Sequence, residues 1–128
     1  MDITRLKNNY EYYSDAEINT EVVISLQEDE DYNIHIDEKF FGDIFMFSPA
    51  AGDVWKGFTR DYQEQVGAWD FKLGNKAKLI DLDEYISDML YYTDKLTKFE
   101  ETGEVFDLIL DFLTYAKQTG QTVIVEVS

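Results

Sequence analysis

The spacing of apolar residues changes several times along this chain, and each change marks a structural element. Near the start, Ile3, Leu6, Tyr10 and Tyr13 recur at helical spacing behind a capping Asp2, which predicts a short N-terminal helix. The run Tyr10 to Tyr13 suits a strand equally well, because aromatic side chains favour a pleated surface. Ser14 to Glu17 reads as a turn or a brief capped helical turn. Val22, Val23 and Ile24 then predict a strand over Glu21 to Leu26. Tyr32, Ile34 and Ile36 alternate with Asn33, His35 and Asp37, the period of a strand buried on one face. The acidic tetrapeptide Glu28 to Asp31 lies between these two strands, so a hairpin with that tetrapeptide at its tip follows. Asp43 to Phe47 reads as a strand stopped by Ser48-Pro49, Gly57 to Gln65 as a short helix, and Trp69 to Leu73 as a strand ended by Gly74-Asn75.

The last third changes to helical spacing. Asp81-Leu82-Asp83-Glu84 resembles a capping box, after which Leu82, Tyr85, Ile86, Met89, Leu90 and Leu96 fall on one helical face. Asp81, Glu84, Asp88 and Tyr91 fall near the opposite side. Thr102-Gly103 separates this helix from a second, which runs from Glu104 to near Gln118 and is apolar over most of its girth. Its narrow polar stripe is Glu104, Asp107, Asp111, Thr114 and Gln118, and Gly120 suits its C-terminal stop. Thr122 to Val127 closes the chain as a strand that sits inside a sheet, since Ile124 adds an apolar residue to its second face. Strands, then two helices, then a closing strand predict one α+β domain, mainly an antiparallel sheet.

Charge changes the picture more than composition does. The 128 residues carry 27 acids against 11 bases, a net charge of -16. Seven acids and no Lys or Arg lie between Glu21 and Glu38, and eleven acids and three bases between Asp81 and Ser128, while Lys39 to Ile80 has five acids and six bases. A compact chain this lopsided repels itself, so its charge points to solubility, to steering of a cationic partner, or to mimicry of a polyanion. The hydrophobic fraction of 45% and aromatic fraction of 16% argue against disorder, because that much apolar surface offsets chain entropy. Cysteine is absent, the N-terminus has no apolar signal region, and no apolar run approaches the ~20 residues of a membrane helix. These features favour a reducing compartment, with cytoplasm as the expected location. The acidic surface is expected to be repelled by anionic lipid and by nucleic acid.

Candidate chemistry is sparse. His35 is the one histidine, and alternation puts it on the polar face of its strand, where it reads as a solvated residue with no partner nearby in sequence. Asp29, Asp31 and Asn33 match the first three ligand positions of a calcium loop, but Ile34 replaces the required glycine and Phe40 the bidentate glutamate, so the match fails. The motifs of zinc hydrolases, serine hydrolases, phosphate-binding loops and dinucleotide folds are absent. With 27 acids some carboxylate pair always falls close together, so such a pair signals nothing. The expectation is a binding protein, with no enzyme activity, cofactor or metal. Tyrosine and tryptophan make good interface anchors, and Tyr91 leads because it shares the polar side of its helix with Glu84 and Asp88.

A small, cysteine-free, acidic, aromatic-rich α+β chain without an enzyme motif resembles the immunity proteins of bacterial contact-dependent growth inhibition and related polymorphic-toxin systems. The resemblance rests on overall character across the whole chain and carries no binding residue onto any position. It implies a cognate toxin domain, often a basic nuclease, that is bound and blocked. On physical grounds three groups of carboxylates would meet such a partner: Glu28, Asp29, Glu30 and Asp31 at the hairpin tip; Glu84 and Asp88 on the first helix; and Glu100, Glu101, Glu104, Asp107 and Asp111 around the start of the second. The alternative is a DNA-mimic inhibitor of a nucleic-acid enzyme, with a small ligand-binding module or enzyme around Trp55, Trp69 and His35 as a further reading. Pairing of two copies at an uncovered sheet edge is also allowed by the pattern.

Overall fold

The computed structural model describes residues 2–13, 20–40, 76–79, 81–91 and 102–127, without the side chains of Asp88, Met89, Tyr91 and Val127. The fold is α+β. A 3₁₀ turn, Ile3–Leu6, is followed by β1 (Asn9–Tyr12), β2 (Glu21–Leu26), β3 (Asn33–Asp37), β4 (Lys76–Lys78), α1 (Leu82–Tyr91), α2 (Thr102–Thr119) and β5 (Val123–Val127). The five strands form one sheet in the order β1-β3-β2-β5-β4. All its pairings are antiparallel except β1 with β3, which is parallel. The expected strands at Asp43 to Phe47 and Trp69 to Leu73, the helix at Gly57 to Gln65 and the turn at Ser14 to Glu17 lie outside the described residues.

Register explains the core. Ile34, Ile24, Val125 and Ala77 form one row across four strands, and none is more than 2% exposed. Val22 and Ile36 pair in the next inner row. Val105, Leu108, Ile109, Phe112 and Leu113 of α2, with Tyr85 of α1, complete the same buried cluster. Burial of this kind contributes roughly 1.5–3 kcal/mol per large apolar side chain. The outer row beside it reads His35, Val23, Glu126 and Lys76, so the strands are apolar on one face and mixed on the other.

Asp81 caps α1 as expected, its Oδ1 accepting the Glu84 N–H at 3.1 Å. Gly120 terminates α2 with φ of 66°, a left-handed conformation that glycine adopts without steric cost. An ion pair joins Asp83, in the first turn of α1, to Lys117, in the last turn of α2. Each charge also sits at the helix end whose dipole favours it.

Three expectations are corrected. Helical spacing from Ile3 to Tyr13 persists only to Leu6, because Asn8 takes φ of 46° and turns the chain into β1. Asparagine tolerates that conformation, and the tyrosine-rich segment then follows its strand preference. The Lys76–Lys78 strand falls where no strand was expected. Its single buried residue, Ala77, makes too short an alternation to register, and its flanking lysines are the residues that protect an edge. Leu90, expected on the inward face of α1, is 57% exposed. It lies one turn beyond Ile86, which still packs against the core. Spacing fixes the face of a helix but not how far along it the neighbouring core extends.

Candidate functional site: the hairpin tip and the outer sheet face

The β2–β3 hairpin places its acidic connection at one end of the sheet, and that connection is tied on several sides. The Leu26 N–H donates to the Tyr32 carbonyl at 3.1 Å, and the Tyr32 N–H to the Asp29 carbonyl at 3.1 Å. Asp29 Oδ1 accepts the Asp31 N–H at 3.3 Å, a side-chain turn of the kind aspartate favours. On one flank, the Gln27 N–H donates to the Thr122 carbonyl at 2.9 Å, and the Thr122 N–H donates to Glu28 Oε2 at 2.8 Å. That second bond, more than any other influence, holds the Glu28 carboxyl below the usual glutamate range. On the other flank, Tyr32 stacks on Tyr115 of α2 at 4.8 Å between ring centroids, and Lys7 Nζ lies 5.0 Å from the Tyr32 ring. Contact with the Tyr32 hydroxyl raises the Tyr115 phenol above its ordinary value, with desolvation the next cause.

Asn33 finishes the clamp. Its Nδ2 donates to Asn8 Oδ1 at 2.9 Å, to the Glu30 carbonyl at 2.8 Å and to the Asp31 carbonyl at 3.3 Å. Three acceptors around the nitrogen fix which way the amide faces, so Oδ1 points to His35 Nε2 at 2.8 Å. The other ring nitrogen, Nδ1, lies 2.9 Å from Glu21 Oε2. Tyr10 of β1 stacks on the imidazole with centroids 3.8 Å apart and planes 13° from parallel. His35 is therefore only 9% exposed, a correction to the expected solvated residue. Alternation assigned its face correctly, but its covering partner arrives through the parallel β1–β3 pairing, which no local pattern announces. Asn8 and Ser25 are the residues of this region that sequence reasoning passed over, while Tyr10 was read only as a helix or strand residue and Asn33 only as a strand residue and a failed calcium-loop ligand. The spacing of Asn33 and His35 on one strand face was the available signal.

Together Asn8, Tyr10, Val23, Ser25, Leu26, Glu30, Asn33 and His35 line a shallow dish of about 330 Å³ on the outer face of the sheet, beside the tip. Among the described residues, the Glu30 and Asp31 carboxylates have no hydrogen-bond or ion-pair partner, and both residues are exposed.

The remaining expected residues are spread out. Glu104 and Asp107 are exposed on α2 and Asp111 is half-buried there, while Glu84 is half-buried on α1. Glu104 Oε2 lies 3.5 Å from the Tyr12 hydroxyl, which Arg5 also approaches at 3.4 Å. Burial, more than any other cause, raises the Tyr12 phenol above its ordinary value. Tyr115 touches the hairpin and Glu104 lies eleven residues back along α2, roughly 17 Å at the helical rise. The hairpin tip and Glu104 thus lie toward opposite ends of α2. The side chains of Asp88 and Tyr91, and residues Glu100, Glu101, Trp55 and Trp69, lie outside the described residues.

Among the described residues no group of three or more His, Cys, Asp or Glu side chains is placed to hold a metal ion. No helix there is long and apolar enough to cross a membrane. No protein-family model, protein of known function or solved structure matches this chain.

Proposed function

We propose that this protein is an immunity protein that binds and neutralises a basic toxin domain, a nuclease being the partner its charge suits best. The observation that carries the reading is the hairpin tip. Two carboxylates without a partner among the described residues, Glu30 and Asp31, stand on a loop whose backbone is already fixed through Glu28, Asp29, Tyr32 and Asn33. A preordered loop loses little conformational freedom on binding, so more of its interaction energy appears as affinity. The net charge of -16 supplies long-range attraction toward a cationic site that holds phosphates. A nuclease so occupied could not admit nucleic acid. The role places the protein in the cytoplasm, where a delivered toxin would act.

The direct test looks for a toxin domain encoded in the neighbouring reading frame and assays it for binding and for loss of activity on mixing. Tight association and inhibition are expected, with an association rate that falls steeply with salt. Glu30→Lys combined with Asp31→Lys should slow association about ten- to a hundredfold at low salt. Association that ignores both salt and this charge reversal would remove the steering argument, and an uninhibited toxin would remove the reading itself.

A further inference from the structure

We infer that the dish beside the hairpin tip is a receptor for an arginine side chain of the cationic partner. The inference deepens the reading above and rests on it for the identity of the partner, but not for the chemistry of the dish.

The acid among the residues that line the dish is Glu30. Asn33 Nδ2 is spent on Asn8 and on the tip carbonyls, and both His35 ring nitrogens are spent on Glu21 and Asn33. The lining also includes the Asn8, Tyr10 and Ser25 side chains, whose amide and hydroxyls offer donors as well as acceptors, while Glu30 is exposed. A cation complements the acid of this lining, whereas a sugar or a neutral amide brings no opposite charge to it. Among the described residues no lysine or arginine lines the dish.

Arginine is favoured over lysine by the aromatic wall. Tyr10 is 55% exposed, although its ring is stacked on His35, so part of its surface remains open to a planar cation. A guanidinium is planar, weakly hydrated and forked, so it can lie along a ring while directing parallel donors at one carboxylate. An ammonium offers a compact, strongly hydrated charge and gains less from either feature. The volume of about 330 Å³ lies at the lower end of ligand sites and suits a single long side chain. The clamp from Asn33 to Asn8 and to the tip carbonyls orders the backbone that carries Glu30 before anything binds.

The experiment needs no toxin. Blocked arginine (acetyl-arginine amide) is titrated into the intact, isotope-labelled protein and followed by amide NMR, with blocked lysine, blocked glutamine and glucose in parallel. Arginine should shift the amides of Asn8, Tyr10, Ser25 and Asn33 in a saturable way at millimolar concentration. Lysine should do so more weakly, and glutamine and glucose should leave them in place. Tyr10→Ala and Glu30→Gln should each weaken the arginine response about two- to fivefold, with the rest of the spectrum unchanged. Equal responses to glutamine or glucose would overturn the inference. So would arginine shifts spread evenly over all acidic segments, or variants that bind like the parent. Arginine capture in the dish combined with failure to bind the toxin domain would keep the receptor and sink the immunity reading. A bound toxin with a silent dish would do the reverse.

Discussion

The hairpin tip and the polar stripe of α2 carry the same kind of charge but are held by different means. At the tip, carboxylates are part of the architecture: Glu28 takes the Thr122 N–H and Asp29 takes the Asp31 N–H, so two of the four acids there order the loop. On α2, Asp107 and Asp111 ride on a helix whose position is set by Phe112, Leu113, Ile109 and Val105 beneath them. Charge and fold are coupled in the first region and separable in the second. A surface acid can thus be judged by what orders its backbone. An acid that builds its own loop resists replacement on structural grounds, whereas an acid on a packed helix is replaceable unless a partner needs it.

The largest effect that tests this contrast lies under the helix. Phe112→Ala removes a fully buried ring and should cost about 3–5 kcal/mol in denaturant unfolding. The loss should appear as global destabilisation, because the residue belongs to the common core. A cost below 1 kcal/mol would mean that something other than packing holds the stripe in place.

Next in size is the clamp. Asn33→Ala removes three donated bonds and leaves His35 Nε2 without its acceptor, a loss of about 1–2 kcal/mol. Its signature should be local: faster hydrogen exchange at the Leu26 and Tyr32 amides, which close the tip, with α2 amides slowed or hastened only as far as global stability changes. Uniformly faster exchange throughout would show that the tip is not a separately ordered unit.

Particular residues show how far the fold could be read in advance. The alternation of Ile34 and Ile36 and the apolar Val22 to Leu26 run announced β2, β3 and their hairpin, because burial on one sheet face writes itself into adjacent positions. Asp81, Gly120 and the apolar girth of α2 announced the helices for the same local reason. What stayed hidden depends on distant segments. Tyr10 covers His35 because β1 pairs in parallel with β3, and Glu28 meets Thr122 across 94 residues of chain. An acidic tetrapeptide reads as free charge until the donors that face it are known.

Smaller than either stability change is the response of the tip to acid. The Glu28 carboxyl is lowered chiefly by the Thr122 N–H, so its folded midpoint lies below its unfolded one. Its contribution to stability is therefore complete above the usual glutamate range and is lost as pH falls through the lowered midpoint. Carboxyl NMR titration should place Glu28 below the ordinary glutamate value, and Glu28→Gln should flatten that part of the pH–stability curve. A Glu28 midpoint at or above the ordinary value would mean that the bond to Thr122 does not persist in solution.

The smallest expected effect completes the contrast. Asp107 is exposed on α2, and no hydrogen bond or ion pair to a described residue engages its side chain. Asp107→Asn keeps the shape, removes one charge and gives up nothing that the fold uses, so unfolding should move by less than about 0.5 kcal/mol. The sign should be slightly favourable, because one charge fewer relieves repulsion in a chain at -16, and the gain should shrink as salt screens that repulsion. A loss above 1 kcal/mol that persists in high salt would show that the stripe, like the tip, is part of what orders the fold. The difference between the two regions would then lie only in which contacts are visible.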